Sequence, residues 1–318
     1  MPSILGAALL AAALTAAPTA SAAPTASAAA PVRGTVAGYR LVELGTLGGD
    51  SSFATAMNNR GDVVGRAQAA DGTYRGFLWR HGRMTDLGAF TPTDVNDRGQ
   101  VVGYPADGSG GYVWDHGVVR PLGPSALPLA INNRGQVVGR TDEGPVLWTN
   151  GRARSLPLTE VSDINEHGQV SGGTYLPPDG FHAVRWHNGR VTDLGAGPFN
   201  RSNTYALNDR GWVIGWHFSA DQFPRGILWR HGRALDVGTL GGNSTELRAI
   251  NNRGEILATS QADDGISRPA LWRRGVLHDL SLVGVGMYGE FVGLDDRGRI
   301  AASIRTVSGV RAVVYHPR

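Results

Sequence analysis

A four-residue turn of the form Asn/Asp-x-x-Gly recurs seven times along the chain, each time between two short strand-like segments. Its glycines are Gly61, Gly99, Gly135, Gly168, Gly211, Gly254 and Gly298, and successive copies are 33 to 44 residues apart. Self-similarity at a fixed period indicates a repeat architecture, and about 40–45 residues is the period of four-stranded propeller blades.

Each copy has the same internal order of apolar segments and turns. In the third copy, Leu129–Ile131 enters the turn and Gln136–Gly139 leaves it as a β-branched strand. We interpret the Asn and Gly of the turn as residues that tolerate left-handed backbone angles in a hairpin. A third strand ends in an aromatic residue, namely Trp79, Trp114, Trp148, Trp186, Trp229, Trp272 or Tyr315. A fourth strand follows a short turn, as in Arg190–Gly195.

This order predicts an all-β fold, a seven-bladed β-propeller of four-stranded blades. The seventh copy stops after its third strand, and an unpaired copy of the fourth strand lies at the front of the repeat region. We therefore expect residues 40–44 to pair with residues 311–315 and close the ring. The alternative is an open solenoid with a spare strand at one end. In the closed propeller, residues 31–318 are predicted to form a single domain.

The first 30 residues have a different composition, rich in Ala, Thr, Ser and Pro, with an apolar stretch over Ile4–Leu14. Small residues at Ala20-Ser21-Ala22 and Ala26-Ser27-Ala28 give two possible cleavage patterns, although no Lys or Arg precedes the apolar stretch. These features predict a signal peptide and linker over 1–30, and hence a secreted, extracellular protein. The apolar stretch is too short to span a bilayer, so we expect no membrane span.

Charge and cysteine content exclude several classes of function. The formal net charge is only +3, and the basic residues are all arginines without a dense run, so nucleic-acid binding is disfavoured. The chain has no cysteine, which excludes disulfides and thiolate metal sites. We predict no cofactor, leave a divalent cation open, and expect a monomer.

Several motifs together resemble the HAF extracellular repeat family. They are Ile131–Gly139, Ile250–Gly254, the Leu-Trp of the third strands, and Gly45–Gly49 with its second copy Gly238–Gly242. The resemblance covers residues 40 to 316. It implies export and a repeat fold, and it implies no particular reaction, because the family consists mainly of secreted proteins without an assigned activity.

The seven copies act as an internal comparison, in which residues shared between copies are interpreted as structural. The repeated turns supply hairpin residues, and the repeated aromatic residues fill space between blades. Arginines of the turns, Arg60, Arg98, Arg134, Arg210, Arg253 and Arg297, are predicted to lie around one face. A ring of guanidiniums there could hold an anionic polymer, but acidic neighbours favour a solvated surface of mixed charge.

Departures from the repeat point to the opposite face, which carries loops of variable length. Three of the residues that begin the innermost strands are acidic, Glu160, Glu246 and Glu290, and Asn203 begins a fourth. Nearby candidates are Arg201, Tyr205, Arg248 and Tyr288. These side chains could bind a polar ligand, a cation or a sugar, or could serve as acid and base. Alternatively, the glutamates pair with Arg201 and Arg248 and keep the mouth of the channel wet.

The fifth copy departs furthest from the repeat, with Trp216 and His217 at the loop end of its second strand. A partly exposed Trp is a platform for sugar rings, unless the loop Ser219–Arg225 folds over it. A metal held by His217 or His182 with Glu160 is not supported by spacing. No nucleophile elbow or zinc-protease motif occurs.

The sequence therefore favours a secreted binding module that recognises a carbohydrate, a cell-wall polymer or a small molecule on the loop-rich face. The alternative is a secreted lyase, hydrolase or cyclase that uses the acidic residues at the channel mouth. A structural surface protein without a small ligand is a third reading.

Overall fold

The computed structural model describes residues 38–105, 107–178, 180–197, 201–219, 222–280, 290–307 and 309–318. Across these residues it contains 28 strands in seven four-stranded antiparallel sheets. The sheets are arranged as the blades of a seven-bladed β-propeller, which confirms the predicted fold class. The described residues include no helix that could cross a membrane. The expected signal peptide and linker, residues 1–30, lie outside the described residues.

The strands are grouped here by their position in the blade, from the central channel outwards. The innermost strands are β2 (Gly48–Met57), β6 (Phe90–Val95), β10 (Leu127–Ile131), β14 (Glu160–Ile164), β18 (Ser202–Leu207), β22 (Gly241–Ile250) and β26 (Glu290–Leu294). The second strands are β3 (Val63–Ala69), β7 (Val101–Pro105), β11 (Val137–Thr141), β15 (Val170–Leu176), β19 (Val213–Phe218), β23 (Ile256–Ala262) and β27 (Ile300–Thr306). The third strands are β4 (Tyr74–Arg80), β8 (Gly111–Asp115), β12 (Gly144–Thr149), β16 (Gly180–His187), β20 (Pro224–Arg230), β24 (Ser267–Arg273) and β28 (Gly309–Pro317). The outermost strands are β5 (Arg83–Gly88), β9 (Val118–Gly123), β13 (Arg152–Ser155), β17 (Arg190–Gly195), β21 (Arg233–Asp236), β25 (Val276–Asp279) and β1 (Tyr39–Glu43).

Blade 7 is a composite of the two ends of the chain. β1 pairs with β28 as the outermost strand of the sheet β26–β27–β28–β1, with Tyr39 opposite Pro317 and Glu43 opposite Val313. The predicted closure is confirmed, with Leu41 rather than Arg40 opposite Tyr315. Closure by the first strand leaves no unpaired blade edge at the junction of the two ends.

The hydrophobic core lies between neighbouring blades. One cluster joins Ile214 and Leu228 of blade 5 to Leu247, Ile256 and Trp272 of blade 6. The third-strand aromatic residues Trp148, Trp186, Trp229, Trp272 and Tyr315 are almost completely buried, whereas Trp79 and Trp114 are partly exposed. Each sheet therefore buries its faces against neighbouring blades, and the stability of a blade depends on those neighbours.

Every innermost strand carries a β-bulge at the same place, one residue before the penultimate position of the strand. The extra residues are Thr55, Thr93, Leu129, Ser162, Tyr205, Arg248 and Val292. Each of them is at least partly exposed. A bulge inserts an unpaired residue and re-aims its side chain, so these seven positions form a second layer of variable residues behind the strand starts.

The asparagine that opens each turn acts through its side chain. In the first copy, Asn58 Oδ1 accepts hydrogen bonds from the backbone N–H groups of Arg60 and Asp62, and Gly61 alone has a positive φ of 84°. The expectation that Asn itself takes left-handed angles is therefore wrong for this turn. Its amide side chain forms a hydrogen-bonded turn with its own backbone, as Asn does in Asx-turns.

The same amide also joins one blade to the next. Asn58 Nδ2 donates to the backbone carbonyl of Asn96 at 2.8 Å, and Asn96 donates to the carbonyl of Asn132 at 2.9 Å. Asn132, Asn165, Asn208 and Asn251 continue the series as far as Asp295. Asp295 has no amide donor, and its carboxylate pairs with Arg299 Nε at 2.5 Å instead.

A second ring of hydrogen bonds runs through the next residue of each turn and closes completely. The backbone N–H of Asn59 donates to Asp97 Oδ1, and that of Asp296 donates back to Asn59 Oδ1. The other donors and acceptors are Asp97 to Asn133, Asn133 to Glu166, Glu166 to Asp209, Asp209 to Asn252, and Asn252 to Asp296. The acidic residues of the turns thus accept backbone hydrogen bonds around the channel.

Candidate functional site at the loop-face rim of the channel

The innermost strands run from a loop face to a turn face. Glu160 and Glu290 begin β14 and β26 as predicted, whereas Asn203 is the second residue of β18, and Glu246 is the sixth residue of β22, because that strand extends further towards the loop face. Cross-strand partners show that the four positions are equivalent in blades 4 to 7: Glu160 opposite Gly173, Asn203 opposite Trp216, Glu246 opposite Thr259, and Glu290 opposite Ser303. Tyr288 lies outside the described residues.

Blades 4 and 5 are joined at this rim by a side-chain hydrogen bond. Asn203 Nδ2 donates to Glu160 Oε2 at 2.8 Å. Gly173 makes room beside this pair, because a Cβ at that position would lie 3.0 Å from Asn203 Oδ1 and would clash with the Phe181 ring. Gly173 and Phe181 were not among the predicted site residues. The signal for them is that blade 4 has Gly where the other blades have Arg, Tyr, Trp, Thr or Ser.

Trp216 is half-buried and belongs to a small aromatic group with a guanidinium over it. The ring of Phe218 meets Trp216 edge-on with centroids 5.2 Å apart, and Arg201 Cζ lies 5.9 Å from the Trp216 ring centroid. The expected pairing of Arg201 with a glutamate is not what the structure shows, because Arg201 stacks on the indole instead. One part of the indole remains accessible at the rim.

Blade 6 contributes an ion pair, with Arg248 Nη2 2.8 Å from Glu246 Oε2. Here the expected pairing of glutamate with arginine is present. Tyr205 of blade 5 lies within the field of this pair. Burial raises the pKa of Tyr205, the Glu246 carboxylate raises it further, and Arg248 partly opposes the shift. Tyr205 is therefore a neutral phenol, a hydrogen-bond donor and acceptor, at neutral pH.

The remaining candidates are separate from these groups. Glu290 is exposed at the start of β26, and no hydrogen bond in the described structure joins it to the blade 5 or blade 6 residues. His217 Nδ1 lies 2.8 Å from the backbone oxygen of Phe218. His182 is buried, with Nδ1 3.1 Å from both carboxylate oxygens of Asp193.

His217, His182 and Glu160 do not come together in the structure. The three side chains have different partners, and the described residues contain no group of three His, Asp or Glu side chains able to hold a metal ion. His182 takes the place of the arginine that pairs with Asp86 in blade 1, Arg75, so it is the fourth blade's version of a repeated strand-to-strand contact.

The rim is chemically divided into two arcs. Blades 4 to 6 supply Glu160, Ser162, Asn203, Tyr205, Glu246 and Arg248. The same two positions in blades 1 to 3 are occupied by Phe53, Thr55, Thr91, Thr93, Leu127 and Leu129. We call the first group the polar arc. It places charged groups, an amide and a phenol on one side of the channel mouth, whereas these positions on the other side carry only Phe, Leu and Thr.

The turn-face end of the channel is a different environment. A cavity of about 410 Å³ there is lined by the turn asparagines and by Asp97, Asp163, Glu166, Asp209 and Asp296. Burial raises the pKa of Asp163 to about 7 and that of Asp94, in the same position two blades away, to about 6. Each of these carboxylates accepts a hydrogen bond from the next blade, Asp94 from Ile131 N–H and Asp163 from Leu207 N–H.

No protein-family model matches the sequence, and no curated protein sequence matches it. Solved structures are similar at the level of the fold. A puromycin-hydrolyzing peptidase from Mycobacterium tuberculosis gives a TM-score of 0.57 at 14% identity over 88% of this chain. The present chain spans about half, 51%, of that peptidase.

Two further similar structures are matched along almost their whole length. A streptogramin B lyase gives a TM-score of 0.54 at 11% identity, covering 88% of this chain and 98% of the lyase. The β-propeller domain of the Trilobed protease from Pyrococcus furiosus gives 0.57 at 12% identity, covering 84% and 95%. That domain has an open velcro topology, whereas β1 and β28 close the present ring. At these identities the comparisons show a β-propeller and leave its ligand to be argued from the site.

Proposed function

We propose that this protein is a secreted β-propeller binding module that recognises a carbohydrate, or another extracellular polar ligand, at the polar arc of its loop face. The observation that carries the proposal is the contiguous group Glu160–Asn203–Trp216–Arg201. A hydrogen-bonded carboxylate and amide lie beside an indole whose ring is fixed by an edge-on Phe218 and a stacked guanidinium. Export rests on the composition of residues 1–30 and on the resemblance to the HAF repeat family.

This chemistry suits a sugar ring. Its C–H face packs on an aromatic surface, and its hydroxyl groups each donate and accept hydrogen bonds, which an amide and a carboxylate complement in both directions. Asn203 uses one amide hydrogen on Glu160, so its second hydrogen remains available for a ligand. Tyr205 adds a neutral hydroxyl on the same strand. The rigid ring of blades holds all of these groups before a ligand arrives, which lowers the entropic cost of binding.

An enzyme that uses the same acidic residues has less support. Glu160 accepts a hydrogen bond from Asn203, and Glu246 is paired with Arg248, so both carboxylates already have partners. The candidate His217 engages a backbone oxygen on its own strand. The polar arc therefore offers groups suited to recognition, and no nucleophile elbow or zinc-protease motif occurs in the sequence.

The test is a titration of the full chain with a panel of neutral and acidic soluble glycans by calorimetry. For a glycan that binds, we expect Trp216→Ala and Asn203→Ala each to weaken the dissociation constant by about tenfold or more, about 1.4 kcal/mol. Tyr74→Ala is the matched control, since Tyr74 is an exposed aromatic residue on blade 1 that contacts Phe53 outside the polar arc.

Equal losses in Trp216→Ala and Tyr74→Ala would contradict a site at the polar arc. Turnover of a bound glycan that disappears in Glu160→Gln or Glu246→Gln, with binding retained, would instead establish the enzyme. Absence of binding to any glycan or small polar ligand would favour a structural role for the propeller.

A further inference from the structure

A second cavity lies on the turn face, at the edge of blade 6. Its volume is about 590 Å³, and its lining includes Arg253, Glu255, Arg273, Arg274, Val276 and His278. We call it the blade 6 pocket. It is at the opposite end of the innermost strands from the polar arc, and the inference below does not depend on the proposed glycan site. Its volume falls within the range of about 300–1,000 Å³ that is usual for small-molecule sites.

A repeated contact between blades is made by a different residue in blade 6, next to the pocket. The residue after each turn glycine usually packs over the turn of the following blade. Thus Gln169 approaches Gly211, and Trp212 covers Gly254, with 2.5 Å between the indole and a Cβ placed there. In blade 6 that residue is Glu255, which accepts a hydrogen bond from Asn251 at 2.8 Å, as its counterparts in blades 1 to 4 do from their own turn asparagines, and which also accepts one from Arg253 at 2.6 Å. It is Arg253, and not Glu255, that approaches the following turn, with Nη2 3.2 Å from a Cβ placed at Gly298.

The same change leaves positive charge in the pocket. In blade 1 the arginine at the end of the third strand, Arg80, pairs with Asp62 at 2.8 Å. Arg273 occupies the equivalent position in blade 6, but Glu255, the counterpart of Asp62, is paired with Arg253. Among the residues that the structure describes, the guanidiniums of Arg273 and Arg274 have no ion pair or hydrogen bond. Three guanidiniums therefore surround one carboxylate that is already neutralised.

The charge of Arg273 acts on titratable groups of two neighbouring blades. The pKa of His278 is lowered by burial and then by the charge of Arg273, so the imidazole is neutral at neutral pH. The pKa of Tyr39, on β1 of the neighbouring composite blade, is raised by burial and then by the Glu255 carboxylate, while Arg273 and Arg253 oppose that rise. The arginines are close enough to act on groups around the whole pocket.

Arg274 also occupies a backbone position that does not suit it. Its φ is +52°, at the first residue of the tight turn between β24 and β25. The same turn position is taken by His81, His116 and His231 or by Asn150 and Asn188 in the other blades, and these residue types tolerate left-handed angles better than arginine does. The left-handed angle is thus a property of this repeated turn, and only in blade 6 does the turn place a second arginine beside the pocket.

We propose that the blade 6 pocket binds a phosphate-class dianion, held between the guanidiniums of Arg273 and Arg274. Two unpaired arginines supply two positive charges and planar N–H pairs that match tetrahedral oxyanions. Arg253, fixed by Glu255, forms one wall, and the neutral His278 adds a hydrogen-bonding nitrogen. The phosphate is either a free ion or one group of a polymer, and the two sources are separated by the choice of probe.

The test is calorimetry on the full chain with inorganic phosphate and with a polyphosphate chain, each at low ionic strength and against sodium chloride of equal ionic strength. The diagnostic variant is Arg273→Thr with Arg274→Asn, because Thr149-Asn150 is the natural pair at these positions in blade 3 and suits the left-handed turn. The matched control is Arg83→Gln with Arg233→Gln, which removes two arginines from turns on the same face outside the pocket.

We expect a saturable site whose dissociation constant for phosphate weakens by about tenfold or more in the pocket variant and by less than twofold in the control, a difference of about 1 kcal/mol or more. Binding of both probes would identify a free ion as sufficient, and binding of polyphosphate alone would identify a polymer as the source. Equal weakening in the two double variants would overturn the proposal, since it would indicate a diffuse charge effect. No saturable binding of either probe to the unaltered chain would also overturn it.

Discussion

Asn208 is a residue at which one side chain serves both its own turn and the next blade. Its Oδ1 accepts from the N–H groups of Arg210 and Trp212, and its Nδ2 donates to the carbonyl of Asn251 at 3.0 Å. The side chain is 4% exposed, so water cannot easily replace these partners. Loss of the amide would leave buried N–H and C=O groups unsatisfied, which is costly.

We therefore expect Asn208→Ala to lower the free energy of unfolding by about 2–4 kcal/mol, as measured by denaturant titration. Asn188→Gly is the matched control. Asn188 is exposed and has φ of +49°, a backbone angle that glycine adopts freely, so this change should alter stability by less than about 0.5 kcal/mol. A loss below about 1 kcal/mol in Asn208→Ala would show that the inter-blade amide bond contributes little.

Individual residues are also where prediction from the sequence was least complete. The aromatic residues of the third strands could be placed between blades, because a large side chain repeated once per blade has nowhere else to pack. The partner of Arg201 could not be predicted, since it depends on how β18 and β19 pair and bring the guanidinium over Trp216. The sequence also could not predict that Arg273 lacks an ion-pair partner, because this results from the pairing of Glu255 with Arg253.

At the level of elements, β1 is the strand whose role is most easily isolated. It covers the edge of β28, and Tyr39 and Leu41 pack against the core cluster that contains Phe291 and Tyr315. The short apolar stretch Leu41-Val42 followed by Gly45 was enough to predict this pairing, since the seventh copy lacked a fourth strand. Strand closure could be predicted because it is a matter of counting strands in a repeat.

A chain that begins at Gly45, and so lacks β1, should melt at a lower temperature and should self-associate, because β28 becomes an uncovered edge beside exposed apolar side chains. The measurements are thermal unfolding by circular dichroism and size-exclusion chromatography. A chain that begins at Gly34 keeps β1 and is the control. An unchanged melting temperature and a monomer for both shortened chains would contradict a closing role for β1.

The bulges at the innermost strands explain why the rim was predicted only as a set of neighbouring positions. The sequence repeat gives equivalent positions in the innermost strands, such as Glu160 and Glu246, but the bulge that re-aims Tyr205 and Arg248 is a property of strand pairing. The sequence therefore placed Tyr205 near the rim, but it did not predict that Tyr205 is close to the ion pair of Glu246 and Arg248. The contrast between the polar arc and the uncharged side of the rim follows from the two layers together.

For the whole molecule, the two carboxylates inside the channel make stability depend on pH. The pKa values of Asp94 and Asp163 rise from 3.8 to about 6 and about 7 on folding, because burial disfavours the charged form. Between about pH 4 and pH 7 the folded state thus binds more protons than the unfolded state. The contribution of these groups to stability is greatest below pH 4 and is lost as pH rises through the folded pKa values.

Asp163→Asn should therefore stabilise the propeller relative to the unaltered chain at pH 8, by about 1–3 kcal/mol more than it does at pH 5, as measured by urea unfolding at both pH values. Asp71→Asn is the control with the opposite sign. Asp71 is exposed, and hydrogen bonds from Thr73 lower its pKa, so its removal should not stabilise the protein at high pH. If the free energies of unfolding of Asp163→Asn and of the unaltered chain changed in parallel with pH, Asp163 would have the same pKa in the folded and unfolded states.

The pairing of Tyr39–Glu43 with Val313–Pro317 has a consequence for the order in which the blades can fold during synthesis. Of the described strands of the ring, β1 is made first and its partner β28 is made after the others, so blade 7 cannot assemble until β28 has been made. Until then β1 and the face of blade 1 that blade 7 covers remain exposed to other contacts. The blades already made form an open row instead of a ring. The synthesis of β28 is thus the event that permits the ring to form.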